Sequence, residues 1–79
     1  MKKAKILIVE DESIVAKDIQ VTLEKLGYDV VGTVAEGEKV LEIVKEKTPD
    51  LILMDIMLKG SMTGIDTAVQ VNKEISIPI

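Results

Sequence analysis

The sequence predicts an α/β protein: a parallel sheet with helices packed on both faces. Three observations predict it. Short apolar runs recur at 5–9, 30–35 and 51–55. The first and third show no polar alternation, as expected of strands covered on both sides. Between and after the runs lie segments in which apolar residues return at steps of three and four, the helical period. Strand and helix alternate three times, an order that requires parallel strands joined by right-handed crossovers.

The run 5–9 is bounded by charges, Lys5 before it and Glu10 after it. In the helical segment 13–26 the residues Val15, Ile19, Thr22, Leu23 and Leu26 form one stripe, with Ser13 as its N-cap and Gly27 as its stop. Gly32 interrupts the second strand. The second helix, 38–47, carries Val40, Ile43 and Val44 on one side and ends at Thr48-Pro49, because proline disfavours helical geometry in the residue before it. The third strand ends at Asp55, and the loop that follows bends at Gly60. From 64 to 75 the pattern is helical again, with Ile65, Ala68, Val69 and Asn72 expected to face inward. Residues 77–79, Ile-Pro-Ile, read as the start of a fourth strand. Nothing along the chain marks a linker, repeat or low-complexity segment.

Composition limits the chemistry. At 47% hydrophobic and 30% charged, the 79 residues have the make-up of a folded chain rather than a disordered one. The single aromatic residue is Tyr28, so the core is built from aliphatic side chains. There is no Cys and no His. That excludes disulfides, thiolate zinc sites and imidazole catalysis, and leaves only oxygen donors for a metal, which points to Mg²⁺, Mn²⁺ or Ca²⁺. A net charge of −4 argues against nucleic acid; Lys2, Lys3 and Lys5 are the one basic cluster and read as a solvated terminus. No apolar run approaches membrane-spanning length, and a cytoplasmic location is expected.

In an open parallel sheet, ligands bind beyond the carboxyl ends of the strands. Three acids fall at such ends: Glu10 and Asp11 after the first run, and Asp55 at the close of the third. Each alone reads as loop solvation, and Asp11 and Glu12 also sit ahead of a helix, where negative charge is favoured by about 0.3–1 kcal/mol. Brought together, three carboxylates repel and call for a cation. Mg²⁺ suits such a site, since it takes one or two carboxylates plus water and phosphate oxygens. A carboxylate can also attack phosphorus to form an aspartyl phosphate. Asp55, single and preceded by four apolar residues, is the candidate nucleophile; the paired Glu10 and Asp11 are the candidate metal holders.

The residues Ile6-Leu7-Ile8-Val9-Glu10-Asp11-Glu12, then Pro49-Asp50-Leu51-Ile52-Leu53-Met54-Asp55-Ile56-Met57, then Gly64 ahead of a helix, resemble the receiver domain of two-component response regulators along the whole chain. The resemblance implies a flavodoxin-like (CheY-like) doubly wound sheet of strand order 2-1-3-4-5. It implies that Asp55 is the phosphoacceptor and a metal ligand, that Asp11 binds Mg²⁺ (or Mn²⁺) directly and Glu10 chiefly through water, and that the backbone carbonyl of Met57 is a further ligand. It implies a histidine kinase or phosphotransfer domain as donor, and a module that promotes its own phosphorylation rather than an enzyme acting on other substrates. Ile14 and Val21, off the apolar stripe of the first helix, are the candidate partner contacts.

The chain departs from the family pattern in two places. Leu58-Lys59-Gly60-Ser61-Met62 replaces the loop that often carries a proline soon after the acceptor, and is one residue longer. The family also continues through a fourth strand ending in Thr or Ser and a fifth ending in Lys, whereas residues 1–79 reach only the start of the fourth. The expectation is a partial receiver whose phosphorylation is slow or absent, since losing one charge-stabilising group costs on the order of 10²–10³ in rate. Apolar side chains of the first and third strands should stand exposed beside a lone first helix, and self-association or a companion fragment should cover them. Two other readings compete: a receiver-shaped module that acts only by binding, and a metal-dependent phosphohydrolase. The second lacks the acid two residues after Asp55 that such enzymes use to protonate the leaving group.

Overall fold

A computed structural model describes residues 3–54, 64–74 and 78–79. The elements run β1 (Lys5–Val9), α1 (Ser13–Lys25), β2 (Asp29–Val34), a 3₁₀ turn (Gly37–Lys39), α2 (Val40–Lys47), β3 (Leu51–Met54) and α3 (Gly64–Glu74). The three strands form one parallel sheet in the order β2-β1-β3. The alternation predicts a parallel sheet covered on both faces, and the order with β1 in the middle is the doubly wound, flavodoxin-like one that the family resemblance implies.

The uninterrupted apolar run of β1 follows from this central place. Ile6, Leu7, Ile8 and Val9 are all buried, because both faces of the strand are covered. On one face Leu7 and Val9 join Val34, Val40, Val44, Ile52 and Val71 in the main core, with Val31, Leu41, Ile43 and Met54 packed against it. On the other, α1 packs on β1 and β2. This corrects one expectation: Ile6 and Ile8 are not left exposed, because α1 sits over the middle strand. Leu53 of β3, which α1 does not reach as fully, is 37% exposed.

The helix faces differ from the sequence reading in two places. In α1 the buried residue is Ala16, with Ile19, Gln20 and Leu23 half-buried, while Val15, Thr22 and Leu26 are exposed. The helix is turned so that its smallest side chain meets the sheet. In α3 the inward residues are Gly64, Thr67 and Val71; Ile65, Val69 and Asn72 are exposed. Both stripes have helical spacing, and the one with smaller side chains wins because it lets α3 approach α2 and the 3₁₀ turn. The fully buried Thr67 fits this face since no buried side-chain polar atom among the described residues lacks a partner.

The ends of the helices are set by backbone chemistry. Ser13 is the first helical residue of α1, not its cap; Glu12 occupies the cap position without a side-chain capping bond. At the other end Gly27 takes φ +94°, and the amides of Gly27 and Tyr28 donate to the carbonyls of Glu24 (3.1 Å) and Leu23 (3.0 Å). This paired closure is a Schellman motif. α2 closes differently: Thr48 adopts left-handed geometry at φ 46°, ψ 60°, and its amide donates to Val44 at 2.8 Å. Pro49 after it excludes ordinary helical geometry, and Thr48, a β-branched residue, takes a conformation that side chains of its kind resist. β2 begins at Asp29 and ends at Val34, one residue earlier than expected at each end, and a bulge at Val31 breaks its register with β1.

Residue Asp50 ties the amino-terminal ends of β1 and β3 together. Its amide donates to the Lys5 carbonyl (2.7 Å), and the Lys5 amide donates to its Oδ2 (2.8 Å). Pro78 and Ile79 are not in strand geometry, yet the Ile52 amide donates to the Pro78 carbonyl at 3.0 Å, so this segment lies along the outer edge of β3. Ile77 and the bend expected at Gly60 fall outside the described residues.

The two left-handed positions give opposite expectations. Thr48→Gly should stabilise the chain by about 0.5–1 kcal/mol, since glycine adopts this geometry without the steric penalty. Gly27→Ala should destabilise it by about 1–2 kcal/mol through backbone strain alone, because a Cβ there would meet nothing within 4 Å. Urea unfolding of the two variants followed by circular dichroism checks both signs.

Candidate functional site

Where β1 leaves the sheet, two main-chain anchors fix the acid pair. The Glu10 amide donates to the Val34 carbonyl at 2.9 Å, adding one rung beyond the last strand residue and holding Glu10 against the end of β2. Two residues on, the Glu12 carbonyl accepts the Ala16 amide at 2.9 Å and starts α1. Asp11 sits between these anchors, and both Glu10 and Asp11 are partly exposed. The Glu10 side chain turns back over the helix start, where its Oε2 accepts the Glu12 amide at 3.2 Å.

The register of β1 with β3 pairs Val9 with Met54. Both strands therefore end at the same level of the sheet, side by side. The next residue after Met54 in the sequence is Asp55; it and Met57, the other expected donor, lie outside the described residues. Among the described residues no group of three or more acids is placed to hold a metal. Glu10 and Asp11 supply two carboxylates, and an all-oxygen donor set of this size fits Mg²⁺ or Mn²⁺, which need few protein ligands.

Two hollows flank the acid pair. Toward β2, a cleft of about 240 Å³ has Glu10, Asp11, Ser13, Lys17, Gln20 and Thr33 in its walls and Ala16 and Val34 beneath. Toward β3, a hollow of about 330 Å³ is lined by Ile8, Ile19, Leu53 and neighbouring residues, Glu10 among them. The polar cleft is absent from the sequence reading. Its signal is nevertheless there: Ser13, Ala16, Lys17 and Gln20 follow the helical steps of three and four. It was masked by the more apolar stripe beside it.

A third hollow, about 440 Å³, lies on the outer face of α1 between Ser13, Ile14, Lys17, Asp18 and Val21. Ile14 is 84% exposed and Val21 36%, so both candidate contact residues stand on the surface, one on either side of a Lys and an Asp. Ser13 and Lys17 belong to this hollow and to the acid cleft alike.

Comparison with known proteins agrees with this geometry. Residues 6–79 match the family model of the response regulator receiver domain. The chain belongs to the response regulator receiver family. A probable transcriptional regulator, ycf27 of Porphyridium aerugineum, is 34% identical over 79 residues, which cover 100% of this chain and 32% of that protein. The alkaline phosphatase synthesis transcriptional regulatory protein PhoP of Bacillus subtilis is 39% identical over 70 residues, 89% of this chain and 28% of the relative. Among solved structures, the signal receiver domain of a modulated diguanylate cyclase from Desulfovibrio desulfuricans superimposes with a TM-score of 0.90 at 38% identity, covering 96% of this chain and 61% of that one. The chain thus spans about a third of the length of the curated relatives it matches. A receiver is the phosphoacceptor module of two-component signalling, and its fold is the one found here. No helix among the described residues is long and apolar enough to cross a membrane.

Proposed function

We propose that this receiver accepts a phosphoryl group on Asp55 from a histidine kinase or phosphotransfer domain in the cytoplasm, with Mg²⁺ or Mn²⁺ held by Glu10, Asp11, Asp55 and the Met57 carbonyl. The observation that supports it is the β1–β3 register, which ends the strand before Glu10 and Asp11 level with the strand before Asp55. A carboxylate oxygen of Asp55 forms the new bond to phosphorus as the phosphorus–nitrogen bond of the donor phosphohistidine breaks. The electron pair stays on the departing imidazole, which takes up a proton from solvent. A cation held there would supply charge neutralisation for the transferred oxygens. Glu10 and Asp11 hold their carboxylates at the mouth of the sheet through the anchors at Val34 and Ala16.

Incubation with acetyl phosphate and Mg²⁺, followed by peptide mass spectrometry, tests the acceptor. A Mg²⁺-dependent phosphoryl label on Asp55, lost in Asp55→Asn and weakened in Asp11→Asn, supports the reading even at a low rate. A label on another residue, or one indifferent to Mg²⁺, overturns it. No label at Asp55 after exhaustive incubation favours instead a receiver-shaped module that acts by binding.

The partner surface in this reading is the outer face of α1. Ile14 and Val21 supply apolar contacts around Lys17 and Asp18, a mixture suited to an amphipathic helix. Ile14→Asp with Val21→Asp should lower phosphotransfer from a kinase that labels the parent chain by roughly tenfold or more, the scale of one or two lost interface anchors. Labelling by acetyl phosphate should stay unchanged. Equal losses with both donors would remove these residues from the contact.

Self-association is the second partner reading, carried by exposed Leu53 beside the β3 edge. Light scattering at micromolar concentration should give a mass above that of one 8.6 kDa chain. A mass equal to one chain, unchanged on tenfold concentration, would exclude it.

A further inference from the structure

The carboxyl ends of β1 and β3 stay level only while β3 keeps its height against β1, and the hydrophobic pattern alone does not hold that height. A slip by one residue would turn Ile52 out of the main core and is barred by the cost of exposing it. A slip by two residues returns every side chain to its own face. In one direction it would bring Pro49, which has no amide to donate, into the ladder. In the other, Met54 and Ile56 would take the places of Ile52 and Met54, apolar for apolar. Leu53 is 37% exposed, so Asp55 in its place would still reach water. This second slip is the one the core tolerates. It would carry Asp55 roughly 6–7 Å down the sheet, at about 3.3 Å per residue. Oxygens that share one Mg²⁺ lie within about 4.2 Å of each other. Asp55 and the acids after β1 would no longer reach one cation.

What resists this slip stands at the other end of the strands. The paired ladder starts at Ile6 and Leu51. One residue earlier, Asp50 grips both main-chain groups of Lys5: its amide donates to the Lys5 carbonyl at 2.7 Å, and its Oδ2 accepts the Lys5 amide at 2.8 Å. Ladder bonds use main-chain groups that are evenly spaced along parallel strands, so they can be remade after a slip. The side-chain bond cannot, because a slip of two sets Ile52, which has no side-chain acceptor, opposite Lys5. We propose that Asp50 is a positioning residue for the acceptor site. From the amino-terminal end of β3 its carboxylate fixes the height of the strand against β1, and with it the level at which the chain passes from Met54 to Asp55. The proposal rests on the reading of Asp55 as acceptor beside Glu10 and Asp11, and adds to it a residue at the far end of the sheet. Asp50 acts as a hydrogen-bond acceptor, so its charge is immaterial to this role. Asp50→Asn should therefore keep the function and Asp50→Ala lose it.

Two measurements on the full chain test it. The first reads register without any phosphoryl donor. Cross-strand NMR contacts should place Ile6 opposite Leu51 in the parent chain and in Asp50→Asn, and a second set, Ile6 opposite Leu53, should appear in Asp50→Ala. The second reads chemistry. Labelling of Asp55 by acetyl phosphate with Mg²⁺ should slow by roughly 3- to 10-fold in Asp50→Ala, the scale of one modest net hydrogen bond, and return to within about twofold of the parent rate in Asp50→Asn. Gly27→Ala, strained at the same end of the sheet, should label at the parent rate while folded, which separates lost height from lost stability. The proposal is overturned by a folded Asp50→Ala with the parent register or the parent rate, by Asp50→Asn as slow as Asp50→Ala, or by equal slowing in Gly27→Ala. If Asp50→Ala does not fold, hydrogen exchange in the parent chain decides. A Lys5 amide that exchanges as slowly as that of Leu7 supports the clamp, and one that exchanges far faster overturns it. If the parent chain takes no label, the acceptor reading falls, while the register measurement still decides whether Asp50 holds β3 at its height.

Discussion

The parallel pairing of β1 with β3 is the constraint on which the other features depend. Parallel neighbours cannot be joined by a tight turn; each connection has to cross a face of the sheet, and here it does so as a helix. Crossovers place α1 on one face and α2 and α3 on the other, which buries β1 from both sides and explains four consecutive buried aliphatics in it. The same pairing makes both strands deliver the chain to one edge of the sheet. The Val9–Met54 partnership sets that level. Asp50, bonded twice to Lys5 at the opposite end, keeps the two strands from sliding, because a shift by one residue would break both bonds and turn every β3 side chain to the wrong face.

Strand positions were legible in the sequence because burial on two faces leaves an unambiguous mark, an apolar run with no alternation. Helix orientation was less legible. α1 and α3 each contain two stripes of helical spacing, and apolarity alone favours the wrong one. In α3 the stripe Ile65-Ala68-Val69-Asn72 is more hydrophobic than Gly64-Thr67-Val71, yet the latter is buried. Close approach between elements rewards small side chains at the contact, a term absent from a hydrophobicity count. Ala16 beneath α1 repeats the lesson. The caps divide in the same way. Gly27 was readable because left-handed geometry selects glycine, whereas Ser13 was misplaced because the Glu12 carbonyl already accepts the Ala16 amide, which starts the helix one residue earlier.

At the site, the strand-end positions of Glu10 and Asp11 were readable, since both follow directly on the buried run of β1. The restraint on Glu10 was not. It depends on a side chain folding back onto the main chain, and Glu at that position is equally compatible with an outward rotamer. The β2-side cleft was hidden for a related reason: its walls come from α1, the end of β2 and the acid loop, three segments whose convergence only the crossover geometry decides.

The two edges of the sheet are unequal, and the inequality says on which side the structure can grow. β2 carries a bulge at Val31 and exposed Asp29 and Thr33, features that discourage pairing with a further strand. β3 has neither. Its Ile52 amide already bonds the Pro78 carbonyl, Leu53 stands partly exposed on the face that α1 shares, and Val15 and Leu26 lie four and seven residues from Ile19, on the flank of α1 that looks toward the β3-side hollow. Apolar surface on both the strand and the adjoining helix flank, next to a main chain still able to bond, is the environment a further strand and its covering element require. β2 is built as a closed outer edge, whereas β3, the other edge, keeps a main chain and an apolar flank suited to pairing.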